Sequence, residues 1–360
     1  MEAPLDDLER VKAVDRSGML EVQMSMPEAL LNARRLAEEF LERGEVKGLL
    51  EEEPSALVVA GMGGSAIGGE LLRDWLFGSS PIPIHVSRGY QLPSFIDERS
   101  LVFAVSYSGN TEETLSSFQD AVSRGCRAIA VTSGGRLGEV SARHGVPCLR
   151  LPGGLAPRAA LPYLFLPLAL ILDEMALVSG LEKELEEALR VLRGLRREVA
   201  PETPQADNPA KLLALSLSHT IPVVYAPRGY SGVALRMKTQ FNENSKVPAY
   251  RAALPEAFHN DVVGYEGPRE LLGSLSAVFL RDGEEDPRLR AKMDVMRGLL
   301  EGRVRVLREV WARGEGRLAR VLSLVFLGDV ASTYLAVLYG VDPTPVESIS
   351  MIKGASANPL

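Results

Sequence analysis

The chain is poor in the residues that most often betray a function. Among its 360 residues there are two cysteines, Cys126 and Cys148, without CxxC spacing or an adjacent histidine. That excludes a disulfide framework and a thiolate metal centre, and fits reduced core thiols in a cytoplasmic protein. Histidine occurs four times; His85, His144 and His219 have no companion acid or cysteine, so no metal cluster is expected. Lysine occurs only 8 times against 32 arginines, and no G-x-x-x-x-G-K-[ST] loop exists, which excludes a P-loop nucleotide site. The net charge of -7 carries no basic cluster, which argues against a nucleic-acid partner. No apolar run is long and clean enough for a membrane span: 161–178 is broken by Pro162, Pro167, Asp173 and Glu174, and reads as a buried helix. The first seven residues are acidic, without a cationic start or apolar core, so no export signal is expected.

What is present is a soluble globular composition, 46% hydrophobic and 24% charged, at a length suited to two domains. A helical pattern over 27–43 precedes an alternation of strands (56–60, 82–86, 101–105, 127–132, 146–151) and helices (66–77, 111–124, 137–144). Helix dominates from 161 to about 199. A proline-rich polar stretch at 201–209 is the linker candidate and divides the chain into 1–200 and 201–360. The alternation then restarts with strands at 221–226, 274–280 and 304–307 and helices at 231–242 and 287–300; helices at 316–338 and 345–353 end the chain. The turn Gly61-Met62-Gly63-Gly64-Ser65 after the first strand has a counterpart in Pro227-Arg228-Gly229-Tyr230-Ser231-Gly232. Two similar α/β units are expected, each a parallel sheet covered by helices in three flavodoxin-like layers.

The most informative segment is Ser106-Tyr107-Ser108-Gly109-Asn110-Thr111, between the apolar strand 101–105 and a helix. A helix N-terminus offers unpaired N–H groups, and short hydroxyls add donors around the same point, so the segment reads as a cradle for the phosphate of a small molecule. A capped surface helix, with Asn110 as N-cap and Glu113 three residues on, is the alternative. Gly61-Met62-Gly63-Gly64-Ser65-Ala66 formally matches G-x-G-x-x-A, but no acid follows the next strand to hold a ribose, and only Arg88 speaks for NADP. Gly63, Gly64 and Ser65 suit close backbone approach to a sugar phosphate better.

Taken together, these motifs resemble the sugar-isomerase (SIS) domain, and nearly the whole chain is similar to the tandem-SIS bifunctional phosphoglucose/phosphomannose isomerases. The likeness extends through Ala156-Pro157-Arg158-Ala159-Ala160, Asn242-Glu243-Asn244-Ser245-Lys246 and Phe258-His259-Asn260. It implies a cofactor-free aldose–ketose isomerase of hexose 6-phosphates working through ring opening and a cis-enediolate. Glu243 would be the base, Arg158 the stabiliser of the enediolate, and His259 and Lys353 the groups for ring opening. Gly63, Gly64, Ser65, Ser106, Ser108 and Thr111 would hold the phosphate. The resemblance also implies a homodimer in which His259 completes the neighbouring subunit's site. Without it, Glu243 also reads as a solvated helix-end carboxylate and His259 as a turn residue bonded to Asp261. A non-catalytic sugar-phosphate sensor and an SIS isomerase for another sugar phosphate are the competing functions.

Overall fold

The computed structural model describes residues 3–356. In the first half, β1 (Leu57–Ala60), β2 (Ile84–Ser87), β3 (Leu101–Val105), β4 (Arg127–Thr132) and β5 (Cys148–Arg150) form a parallel sheet in the order β2-β1-β3-β4-β5. Both β1 and β3 are buried along their whole length, as apolar runs without alternation require when helices cover both faces. In the second half, β6 (Ile221–Pro227), β7 (Tyr250–Leu254), β8 (Leu275–Arg281) and β9 (Val306–Trp311) form a second parallel sheet in the order β7-β6-β8-β9. In both sheets the first strand lies between the second and third, so each has a switch point where strand ends open a crevice.

The helices after β1 and β6 join the halves. Helix Gly64–Trp75 is wedged between the first sheet and helix Leu161–Glu174. A Cβ on Gly68 would lie 2.0 Å from the Leu164 carbonyl oxygen, and one on Gly69 would lie 2.7 Å from the Val59 Cβ. Helix Ser231–Glu243 runs antiparallel to it: Asp74, at the end of the first helix, accepts from the Val233 amide (2.9 Å) at the start of the second. One apolar core continues through both halves. Its centre is helix Arg317–Tyr339, 23 residues long and apolar enough to cross a membrane, yet 94% of its most apolar window is buried inside the protein.

Several elements differ from the sequence expectation. Strand β7 was not expected; its first residues, Tyr250 and Arg251, are exposed, as an edge strand permits, and they leave no apolar run to read. The expected strand at 146–151 shortens to β5. The long helical stretch divides into Leu161–Glu174 and Leu181–Val199, with Gly180 in the left-handed conformation between them. The 201–209 segment is tied down. Buried Asn208 caps helix Pro209–Leu217, and buried Lys211 donates to Asp6 Oδ1 (2.9 Å) and to the carbonyls of Pro201 (2.7 Å) and Thr203 (2.8 Å).

Candidate active site

The hydroxyl segment and the glycine turn meet at the C-terminal ends of β1 and β3. Ser65 Oγ accepts from the Tyr107 amide (3.1 Å), and Ser106 Oγ donates to Thr111 Oγ1 (2.9 Å). Ser106 is fully buried while Ser108 is exposed, so the cradle has a fixed floor and an open lip. Thr111, not Asn110, is the N-cap of helix Glu112–Ser123, and its hydroxyl makes no cap bond. Asn110 instead accepts from the Arg136 amide (3.1 Å), which ties the loop to the next strand end. Gly109 has φ 70°, and a Cβ there would lie 1.8 Å from the Gly134 carbonyl oxygen, so only glycine closes this turn. Gly63 is the N-cap of helix Gly64–Trp75 in a backbone conformation with φ 51°. Arg88 gives no support to a dinucleotide reading: its guanidinium is held by buried Glu70 at 2.7 Å.

The glycine turn leads directly to Arg158. A Cβ on Gly64 would lie 3.0 Å from the Pro157 carbonyl and the Arg158 nitrogen, so Gly64 permits this approach. Arg158 is buried and held through Nε and Nη2. Its Nε donates to Asn244 Oδ1 (2.6 Å), and its Nη2 donates to the carbonyls of Pro343 (2.7 Å) and Thr344 (2.9 Å). Nη1 is left facing Glu243 Oε2 at 3.5 Å. Burial lowers the Arg158 pKa and the Glu243 charge opposes that shift, but a guanidinium remains a cation in either case. Glu243, the last residue of its helix, keeps about a quarter of its side chain exposed. One carboxylate oxygen is therefore beside a fixed cation and open to a ligand.

A buried polar ring holds this pair. Arg236 donates to Asp329 through Nε (2.9 Å) and Nη2 (2.7 Å), and Nη2 also donates to the Arg158 carbonyl (2.6 Å). Asn244 Nδ2 donates to Ser332 Oγ (2.9 Å), whose hydroxyl donates to the Asp329 carbonyl (2.6 Å). Sequence reading missed Arg236, Asp329 and Ser332, because they sit within helices that read as core and only their meeting in space gives them a role. Lys246 ends the Asn242–Lys246 motif. It turns the chain after the helix with φ 58°, and its ammonium donates to the carbonyls of Glu243 and Pro343. Burial first, and then the Arg158 charge, lower its pKa. The Thr344 hydroxyl is buried without a partner among the described residues.

The two remaining expected residues are exposed. His259 follows the short turn after β7 and is exposed. Among the described residues it bonds neither Asp261 nor Glu243. Lys353 is exposed on helix Glu347–Ser356, which follows the Pro343 and Thr344 segment that Arg158 grips. The structure thus joins Gly63, Gly64, Ser65, Ser106, Ser108, Thr111, Arg158 and Glu243 along one crevice, and leaves His259 and Lys353 on the surface.

Comparison with known proteins converges on this arrangement. Residues 206–355 match the model of the bacterial phospho-glucose isomerase C-terminal SIS domain. The bifunctional phosphoglucose/phosphomannose isomerase of Caldicellulosiruptor bescii is 43% identical, over 85% of this chain and 91% of that protein. The protein of the same name from Aquifex aeolicus is 38% identical, over 82% of this chain and 89% of that one. In fold, the crystal structure of hypothetical protein TT0462 from Thermus thermophilus superposes with a TM-score of 0.75 at 20% identity, covering 98% of this chain and 94% of that one. With two SIS-type sheets and this identity along most of its length, the chain belongs to the bifunctional phosphoglucose/phosphomannose isomerase family.

Proposed function

We propose that the chain is an aldose–ketose isomerase interconverting glucose 6-phosphate or mannose 6-phosphate with fructose 6-phosphate. The observation that carries the reading is the placement of Glu243 Oε2 3.5 Å from an arginine whose other donors are all engaged within the protein. Glu243 takes the C2 proton from the open-chain aldose. The C–H electron pair becomes the C1=C2 bond of the enediolate, and the carbonyl oxygen gains the negative charge. Arg158 Nη1, fixed in place beforehand, answers that charge without reorganisation. The hydroxyl proton on O2 passes to O1, and as the O2 electrons form the C2 carbonyl Glu243 returns the carbon-bound proton to C1, giving the ketose. A planar enediolate has lost the C2 configuration, so protonation at C2 from either face gives the glucose or the mannose compound. The cradle of Ser65, Ser106, Ser108 and Thr111, with the amides after Gly63 and Gly64, takes the phosphate, and Lys353 and His259 serve ring opening. The unpartnered Thr344 hydroxyl gives the sugar one further hydrogen-bonding group.

Among the described residues, the site of one chain has no histidine near Glu243. The exposed position of His259 supports a homodimer in which each chain lends this residue to the other, and the two free cysteines suit a cytoplasmic enzyme. The test is to incubate the purified protein with fructose 6-phosphate in deuterated water and follow the products by NMR. Both glucose and mannose 6-phosphates, labelled at C2, are expected. Neither product, with fructose 6-phosphate still bound, would leave a sugar-phosphate sensor.

A further inference from the structure

The second sheet repeats the strand order of the first without β5, with β6, β7, β8 and β9 standing where β1, β2, β3 and β4 stand. The correspondence extends to what enters each crevice. Arg158 arrives just ahead of helix Leu161–Glu174 and abuts the turn after β1. Arg317 opens helix Arg317–Tyr339 and donates to the Gly229 carbonyl in the turn after β6. The antiparallel helices also exchange ends: Glu243 reaches the first crevice, and Phe77, just past Trp75, reaches the second. A Cβ on Gly229 would lie 3.0 Å from the Phe77 ring.

At the ends of β6, β7 and β8 this second crevice opens into a cavity of about 500 Å³. That is a volume typical of small-molecule sites, at the place where open parallel sheets bind their ligands. Phe77, Tyr230, Leu254 and Leu289 supply apolar wall, and Phe77 is left 55% exposed.

The charges in the wall are unequally paired. Four lining residues are acidic and belong to the loop after β8: Asp282, Glu284, Glu285 and Asp286. Asp282 is held by Tyr230, by Arg317 (3.1 Å) and by Arg320 (3.4 Å). Glu285 is held by Arg281 (2.9 Å) and Arg290 (3.5 Å), and Asp286 by Arg288 (2.7 Å). Arg281, Arg290 and Arg320 reach in from outside the lining. The lining's four cations thus match its four acids in number, but outside arginines take up part of the acidic charge, and Arg228 and Lys292 have no side-chain partner among the described residues. Glu284 is the one lining carboxylate without a cationic partner there.

We propose that this crevice is a second ligand site that takes a small organic anion, a phosphate ester or carboxylate on a short carbon skeleton. Arg228 and Lys292 hold its charge, and Phe77, Leu254 and Leu289 cover its carbon body. It is not a second isomerisation site. Its helix N-terminus is already capped by Asp74, its strand-end loop is acidic where the first has hydroxyls, and its buried carboxylates are committed to arginines.

The test is calorimetric titration of the full chain with phosphoenolpyruvate and with 3-phosphoglycerate while fructose 6-phosphate saturates the first crevice; inorganic phosphate is the charge-only control. At least one organic probe should bind once per chain and more tightly than inorganic phosphate. Arg228→Ala with Lys292→Ala should weaken it about tenfold or more, the scale of one charge-assisted hydrogen bond, and leave turnover without probe unchanged. Phe77→Ala should weaken the organic probe and not inorganic phosphate. Failure of both probes to bind, equal binding of inorganic phosphate, or indifference to the double substitution would overturn the proposal. Should fructose 6-phosphate prove not to be a substrate, the isomerase reading falls, and the same titration without it still decides the second site.

Discussion

The two crevices of this chain are built on the same strand order and differ in the loops at the strand ends. After β3 the chain places Ser106, Ser108 and Thr111; after β8 it places Asp282, Glu284, Glu285 and Asp286. In the first, an arginine is held by neutral acceptors and aims one nitrogen at Glu243. In the second, the corresponding Arg317 is spent on Asp282 and on the Gly229 carbonyl. A duplicated fold can thus carry an acid–base pair at one switch point and a self-neutralised loop at the other. The sheet supplies the crevice, and a few loop residues decide its chemistry.

The sharpest way to break that contrast is to remove the carboxylate found in only one crevice. Glu243→Gln should lower kcat by about 10³-fold, within the range for loss of a general base, with the dissociation constant of fructose 6-phosphate nearly unchanged. Equal losses in both would make Glu243 a binding group. The next largest effect is on stability. Asp329 is fully buried and pairs with Arg236 in the ring that holds the Arg158 backbone, so Asp329→Asn strands a buried cation and should cost about 3 kcal/mol in denaturant unfolding. Its kcat should fall as well, because Arg158 loses its anchor. A stable variant with reduced kcat would separate the positioning role from the structural one. Third, Ser108→Ala with Thr111→Ala should raise KM about a hundredfold or more with a smaller change in kcat, since charge-assisted hydrogen bonds to phosphate contribute about 1.5–3 kcal/mol each. An unchanged KM would move the phosphate elsewhere.

How much of this was legible beforehand follows the range of the interactions. The cradle was readable because strand, hydroxyls and helix start are adjacent in sequence. The parallel sheets were readable because β1, β3 and β8 are short apolar runs. Strand β7 was not, since two of its five residues face solvent at a sheet edge. The Arg236–Asp329 pair and the meeting of Arg158 with Asn244 join residues 86 to 93 positions apart, and no local pattern marks them. Asn110 looked like the N-cap, but its side chain is used by Arg136, a contact across the strand ends that outcompetes the local one.

The smallest effect concerns the joint between the crevices. Asp74 caps the helix that carries Glu243 and lies where the two crossing helices meet; burial pushes its pKa up to about 7 from an ordinary 3.8. An acid whose folded pKa is raised binds its proton more tightly in the native state than in the unfolded one. Its contribution to stability is therefore greatest below about pH 4, falls as pH rises through the window up to about 7, and is flat above it. Asp74→Asn keeps the carbonyl that accepts from the Val233 amide and removes the ionisation. The melting temperature of the variant relative to the native chain should rise between pH 5 and pH 8, and the two curves should run parallel above that. A difference independent of pH would mean that Asp74 is already ionised at pH 5. The Val233 and Gly232 amides, and after them the Arg317 charge, which oppose the effect of burial, would then dominate at this joint.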